Sequence, residues 1–407
     1  MKIIHTSDWH LGQEFYSFDR TEEHVAFFSQ LKDIVVEEQP DVLVVSGDIF
    51  HNATPSNSVM RLFTDHLDAI CRAHPGMTVV IIAGNHDSSS RVEISRTLWE
   101  HFHVFIIGKL EKKDKQLNFD QHIIPVVASS GELKGYVVAL PYVTPLAFPS
   151  VEDDIPREKR QAAFLEVLSH KLNEKNLTNA PVIMMAHMAI TGCDATGHDL
   201  TQGGMDYINV ADLKVGFDYL ALGHIHCPQK IKTTEAGVGY ARYSGSPIPV
   251  SFDEHYVHSV TVVEISQHGE QPLVRTIPID NPWPLLTIPK EAVDFEEGLS
   301  FLEKLPADQQ SYIRLHVKLT DVPPQNAMER AIQAVKDKKC RFCCFKWEET
   351  AKVRTRQRYF IDVDQMKAHS PLEIAELYYE SKFGVPLDNE YKKMLSDVIL
   401  RVQQQDK

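Results

Sequence analysis

The chain has 407 residues, 43% apolar and 24% charged, which is ordinary globular material and excludes a low-complexity or disordered polypeptide. Its net charge of −14 excludes a protein that coats polyanions with its whole surface, though not one with a local basic patch. Six scattered cysteines (Cys71, Cys193, Cys227, Cys340, Cys343, Cys344) exclude a disulfide scaffold. No run of about 18 apolar residues is present that could span a bilayer. No secretory signal precedes the first strand, so reduced thiols, a cytoplasmic location and no membrane partner are expected.

Short apolar runs alternate with amphipathic stretches from the start. Lys2–His5, Val42–Ser46 and Val79–Ala83 read as buried strands. Between the first two, Val25, Phe28, Leu31, Ile34 and Val35 recur at helical spacing within Asp19–Gln39; Ser56–Ala73 is helical in pattern as well. This β-α-β-α-β order favours a layered α/β architecture. Further strands are expected at Tyr136–Leu140, Val182–Ala186, Tyr219–Leu222, Val257–Val263 and Leu273–Ile277, with a helix near Arg157–Asn173.

The stiff stretch Asn281, Pro282, Trp283, Pro284 marks a boundary. Beyond it the pattern predicts a short helix (Glu296–Lys304), a strand (Ser311–Leu319), a helix (Gln325–Lys336) and a strand (Cys340–Trp347), a small module of its own. Residues 325–360 carry ten Lys/Arg against four Asp/Glu, a local balance of about +6, interleaved with Phe342, Phe345 and Trp347. This is either a phosphate-backbone contact surface, with Lys338, Lys339, Arg341 and Lys346 as its first candidates, or a solvated face over core aromatics. The C-x-x-C spacing of Cys340 and Cys343 has no second pair and no nearby His, which favours small buried thiols on a strand over a zinc site. Two helices follow. One starts at Ser370 and Pro371 and stops at Gly384, with Pro386 beyond; the other is capped by Asp388 and carries a stripe of Met394, Leu395, Val398, Ile399 and Val402. They bury little by themselves and are expected to pack on the body or on another protein.

The chemistry is written at the strand ends. The first strand delivers Ser7, Asp8, Trp9 and His10; the second Gly47 and Asp48; the third Gly84, Asn85, His86 and Asp87. Later strands deliver His187, then Gly223, His224, Ile225 and His226. Sites in α/β sheets form at the carboxyl ends of strands, so these groups are expected to converge. The pairs Asp8/His10 and His224/His226 are two apart, which in extended chain points both side chains the same way. Carboxylate, imidazole and amide oxygen together suit manganese, iron or zinc. The set Asp8, His10, Asp48, Asn85, His187, His224 and His226 exceeds the needs of one ion and fits a pair about 3.5–4 Å apart sharing a carboxylate, a device for phosphate-ester cleavage.

The segments HTSDWHLGQ, IIAGNHDS, YLALGHIH and YSGSPIPVSFDE, with His187 between them, resemble the calcineurin-like metallophosphoesterases, and within them the SbcD-type nuclease subunits, relatives of the double-strand-break-repair nucleases of archaea and eukaryotes. The resemblance implies a layered β-sandwich flanked by helices over 1–280, a small α+β capping domain contacting DNA over 281–362, and C-terminal helices over 363–407 that dock on a partner ATPase. It implies two divalent ions, manganese in the family. Asp8, His10, Asp48 and His226 would hold one, and Asp48, Asn85, His187 and His224 the other. His86 would assist the leaving oxygen, with Asp87 orienting its ring. Where many superfamily members carry Asp three residues after the bridging carboxylate, this chain has His51, which either touches substrate or is a surface-loop residue.

The activity implied is DNA cleavage, as a double-strand exonuclease and single-strand or hairpin endonuclease in replication, recombination and repair. The assembly implied is a heterotetramer with an SbcC-type ATPase, nucleoid-associated, whose nuclease subunits pair through Ser56–Ala73 and Arg91–His101. The core alone would equally serve a small-molecule or protein phosphoesterase.

Overall fold

A strand that is apolar on both faces needs a layer on each side of it. Strands of this kind dominate the chain's first half, and the resulting fold is a four-layer stack. The computed structural model describes residues 1–110, 112–113, 116–152, 155–195, 207–213, 215–232, 239–319, 323–349, 371–383, 387–388 and 391–396. It divides into two units, Met1–Trp283 and Pro284–Lys407.

The first unit opens with β1 (Lys2–Thr6), the hairpin β2 (Glu14–Phe15) and β3 (Phe18–Asp19), α1 (Thr21–Glu38), β4 (Val42–Ser46), α2 (Asn57–Ala73) and β5 (Thr78–Ile82). It continues through α3 (Ser89–Val92), α4 (Arg96–Glu100), β6 (Val104–Ile107), a small hairpin of β7 (Lys112–Lys113) and β8 (Gln116–Leu117), β9 (Ile123–Val127), β10 (Leu133–Leu140) and α5 (Arg157–Lys175). It closes with β11 (Val182–His187), β12 (Tyr219–Gly223), β13 (Gln229–Ile231), β14 (Tyr240–Tyr243), β15 (Ser259–Glu264) and β16 (Leu273–Pro278). One six-stranded sheet has the order β16-β15-β1-β4-β5-β6, the other β13-β14-β12-β11-β10-β9. Strands β1, β4, β5 and β6 are parallel, as are β10, β11, β12 and β14; β15, β9 and β13 run antiparallel to their neighbours in these sets, and β16 antiparallel to β15.

Alternate residues of each strand feed different cores. Ile3, Val42, Val44, Val80 and Ile82 meet Val137, Ala139, Ile183, Met185 and Ala221 between the sheets. Ile4, Leu43, Val45, Val79 and Ile81 face Phe27, Phe28, Leu31, Phe63 and Leu67 of α1 and α2. Val138, Leu140, Met184 and Leu222 face Phe164, Leu165 and Leu168 of α5. Helix α1 carries Glu22 and Glu23 in its first turn, where the helix dipole favours them, and ends where Gln39 turns left-handed ahead of Pro40. Ser56 caps α2 by accepting the Val59 N–H.

The second unit holds β17 (Leu285–Val293), α6 (Phe295–Lys304), β18 (Tyr312–Leu319), α7 (Ala327–Ala334) and β19 (Arg341–Glu349), followed by α8 (Pro371–Phe383) and a helical stretch at 391–396. β17, β18 and β19 form one parallel sheet in that order. Phe295, Leu299, Leu302, Ala331 and Val335 pack against Ile313, Leu315, Val317 and Phe342. Strand β17 is absent from the sequence expectation because Pro284 and Pro289 mask it; it lies at the sheet edge with a register shift after Ile288, where proline is tolerated. Cys340 and Cys343 are buried and form no disulfide. The expected helix stop at Gly384 and Pro386, the stripe positions Val398, Ile399 and Val402, and the basic residues 352, 354, 356 and 358 lie outside the described residues.

Candidate metal centre

Four of the seven expected ligands sit in backbone conformations that L-residues avoid. Asp8 (φ 54°), His10 (φ 46°), Asp48 (φ 51°) and His224 (φ 98°) all have positive φ. Asp8/His10 and His224/His226 are therefore not side chains projecting in step from extended chain, as the spacing predicts. Each strand ends first, and a left-handed kink then aims the side chain. Such residues cost of order 1–3 kcal/mol each and persist only where surrounding contacts impose them. Here the Asp8 N–H donates to the Gly47 carbonyl (2.9 Å), His10 N–H to Asp48 O (3.0 Å), Leu11 N–H to Ile49 O (2.9 Å) and His51 N–H to Leu11 O (3.0 Å). The loops after β1 and β4 are thus zipped together.

Two glycines make the approach possible. Gly47 has φ 89°, and a Cβ there would stand 2.2 Å from His187 Nδ1; a Cβ on Gly84 would stand 2.1 Å from Asp48 Oδ1.

All seven side chains meet at this edge. His10 Nε2 and His226 Nε2 lie 3.1 Å apart. Asn85 Oδ1 lies 2.9 Å from His187 Nε2 and 3.0 Å from His224 Nδ1. Between these groups, Asp48 Oδ2 is 3.8 Å from His10 Nε2 and 3.5 Å from His187 Nε2. Ligand atoms of Asp8, His10 and His226, and again of Asp8, Asp48 and His187, cluster within 4.8 Å.

The carboxylates are tethered by backbone donors: His224 N–H to Asp8 Oδ1 (3.0 Å) and His86 N–H to Asp48 Oδ1 (3.0 Å). Burial raises the Asp8 carboxyl to about 7. Burial also opposes charge on His187, but the adjacent Asp48 carboxylate prevails and lifts its pKa to about 9. For Asp48 burial again acts upward, yet His187, His10 and His86 hold it well below the carboxylate range. Burial drives His10 well below the usual imidazole value. Two buried carboxylates, converging ring nitrogens and an amide oxygen form a donor set that fits divalent cations.

His86 stands beside this set, its Nε2 4.0 Å from Asp48 Oδ2 and its ring centroid 4.9 Å from that of His10. The expected contact between Asp87 and the His86 ring is not made. His86 Nδ1 is 2.9 Å from the His51 carbonyl. Asp87 instead accepts N–H donors from Gly84 (2.9 Å), Ile49 (3.1 Å) and Phe50 (2.9 Å), tying the loop after β5 to the loop after β4. Three backbone donors outcompete one ring nitrogen for a carboxylate whose burial raises it to about 6. The His51 ring lies 5.7 Å from those of His10 and His86, and its Nδ1 is buried without a hydrogen bond.

Sequence reasoning missed the braces. Ser7 Oγ donates to Asp8 Oδ2 (2.5 Å) and meets Ser244 Oγ (2.8 Å), while the Ser246 N–H donates to the His226 carbonyl (3.1 Å). The SGSPIP segment was the signal, although its residues are not ligand types.

The basic candidates of the second unit divide. Lys338 Nζ donates to the Glu303 (2.9 Å) and Leu305 (2.5 Å) carbonyls, closing the end of α6, and Arg341 donates to the Tyr312 hydroxyl (2.9 Å). Those contacts favour a structural role over a DNA contact for these two residues. Lys339 and Lys346 are exposed.

A doubly layered sheet stack with a dimetal phosphoesterase-type cluster of His and Asp at its strand ends matches the family model for calcineurin-like phosphoesterases over residues 1–228, and the chain belongs to that family, a class of hydrolases. Curated relatives refine this. The chain is 32% identical to the SbcD subunit of the nuclease SbcCD from Rhodobacter capsulatus over 75% of its own length and 76% of the relative's. It is 30% identical to the SbcD subunit of Bacillus subtilis (79% and 80%) and 26% to that of Escherichia coli K12 (82% and 82%). Within the phosphoesterases it is a member of the SbcD nuclease-subunit group.

Proposed function

We propose that this chain hydrolyses DNA phosphodiesters, as an exonuclease on duplex ends and an endonuclease on single strands and hairpins, within a heterotetramer with an SbcC-type ATPase. The observation that carries the reading is the position of Asp48 between two donor groups, 3.8 Å from His10 and 3.5 Å from His187. Asp8, His10, Asp48 and His226 would hold one divalent ion and Asp48, Asn85, His187 and His224 the second, with manganese the favoured metal. Such a pair supplies Lewis acidity at the phosphoryl oxygens and acidifies the attacking water.

The remaining work falls to the chain. The backbone N–H groups of His86 and His224 fix the two carboxylates, so the acceptors need no reorganisation when charge builds on phosphorus. His86 donates its Nδ1–H to the His51 carbonyl, so its imidazolium form would present Nε2–H to the departing sugar oxygen and return to the neutral ring as that proton leaves. His51, with its free Nδ1, is suited to a substrate phosphate or sugar.

Two apolar surfaces support the assembly. Ile94 (76% exposed), Leu98 (62%) and Phe102, spaced four residues apart around α4, are exposed apolar residues suited to pairing of nuclease subunits. Tyr379, Leu387, Tyr391, Met394 and Leu395 line a groove suited to the ATPase. Of the four basic candidates, Lys339 and Lys346 are the exposed ones and support a DNA contact, with the rest of the grip expected from the partner in a chain this acidic. Among the described residues no helix is long and apolar enough to cross a membrane.

The test is manganese-dependent cleavage of open and end-blocked duplex, beside a generic phosphodiester dye, with and without the ATPase and ATP. Cleavage of duplex is expected. Cleavage of the dye but never of DNA, even with the ATPase present, would instead make this a small-substrate phosphoesterase.

A further inference from the structure

Glu254 follows the SGSPIP segment, and its side chain is only 1% exposed. One oxygen is accounted for: Oε2 accepts the Val250 N–H (2.9 Å) and lies 3.4 Å from His258 Nε2. The other is not. Oε1 is buried, makes no hydrogen bond of good geometry and lies 4.0 Å from His226 Nδ1, with the buried Tyr256 hydroxyl also close to the carboxylate. The opposite nitrogen of that ring, Nε2, meets His10 Nε2 at 3.1 Å. Burying a carboxylate oxygen without a donor is costly, so its retention calls for a reason. An imidazole that binds metal through one nitrogen commonly gives its other N–H to a carboxylate, which selects the tautomer and orients the ring.

We propose that Glu254 is the positioning residue for His226: Oε1 takes the Nδ1–H and leaves the Nε2 lone pair for the ion that His226 shares with His10. The inference rests on the metal assignment above. The competing role is structural, a staple of the 250–254 loop through Val250.

Glu254→Gln separates the two. Its amide oxygen keeps the Val250 bond, while its NH2 faces His226 Nδ1 and favours the tautomer with hydrogen on Nε2, which cannot ligate. Titration calorimetry of the full chain with manganese is expected to show two ions in the wild type. In Glu254→Gln one of them should bind about 10–100-fold more weakly, with the other unchanged. In a His226→Ala background the Gln substitution should alter neither manganese affinity nor turnover further, because the ring it positions is gone. Wild-type binding of both ions by Glu254→Gln, or effects that add in the double variant, would overturn the proposal while leaving the nuclease reading intact. A wild-type chain that binds no pair of ions would overturn both. Should the Gln variant fail to fold, Glu254→Asp serves in the same cycle: it keeps the charge but shortens the reach, and weaker binding of one ion only when His226 is present is the result expected.

Discussion

At the residue scale, protons and metal ions compete for the same atoms. Asp8, raised to about 7 by burial, and His187, lifted to about 9 against its burial by the neighbouring carboxylates, hold protons near neutral pH in the metal-free chain. A cation that takes these groups displaces their protons. Manganese binding should therefore release protons between pH 7 and 8 and weaken as pH falls from 8 to 6. Calorimetry in buffers of different ionisation enthalpy measures this, and an affinity flat across that range would contradict it. His86 lies beside the donor set, so His86→Ala should lose about 10²–10⁴-fold in turnover with manganese affinity unchanged. A wild-type rate at saturating manganese would remove its assigned role. The identities of the seven converging residues were legible because their order along the chain is improbable by chance. The partner of Asp87 was not, since three N–H groups from two loops chose it.

At the element scale, β1, β4 and β5 were legible because they are buried on both faces and read as unbroken apolar runs. Strands β9, β13 and β14 were not: β9 contains Pro125 and faces solvent at alternate positions, and the other two are only three and four residues long. The left-handed kinks after the strands were equally hidden: Asp and His enter that region more often than most L-residues, yet too seldom for their identity to mark the position. What could be read was the glycine beside them. Gly84→Ala places a Cβ within 2.1 Å of Asp48 Oδ1 and 2.4 Å of Asp48 N, so the loop after β4 must move. A shift of about 1 Å at the central carboxylate should cost on the order of 10²-fold in turnover, with the circular dichroism of a folded chain retained. Wild-type turnover would mean that the contact is relieved elsewhere.

At the scale of the whole molecule, the two units divide between Trp283 and Pro284, inside the proline-rich stretch, and the three-stranded sheet beyond it was only partly legible. Among the described residues of the terminal helical segments, Tyr391 and Met394 are 58% and 61% exposed. If these segments serve the ATPase, deleting residues 364–407 should abolish co-purification with it while the dye substrate is still cleaved. Unchanged association would assign the docking surface elsewhere. The account turns on two cations sharing the Asp48 carboxylate, and anomalous diffraction from crystals soaked in manganese tests it most directly. Two peaks are predicted, one beside His10 and His226 and one beside Asn85, His187 and His224; a single peak, or none next to Asp48, would contradict it.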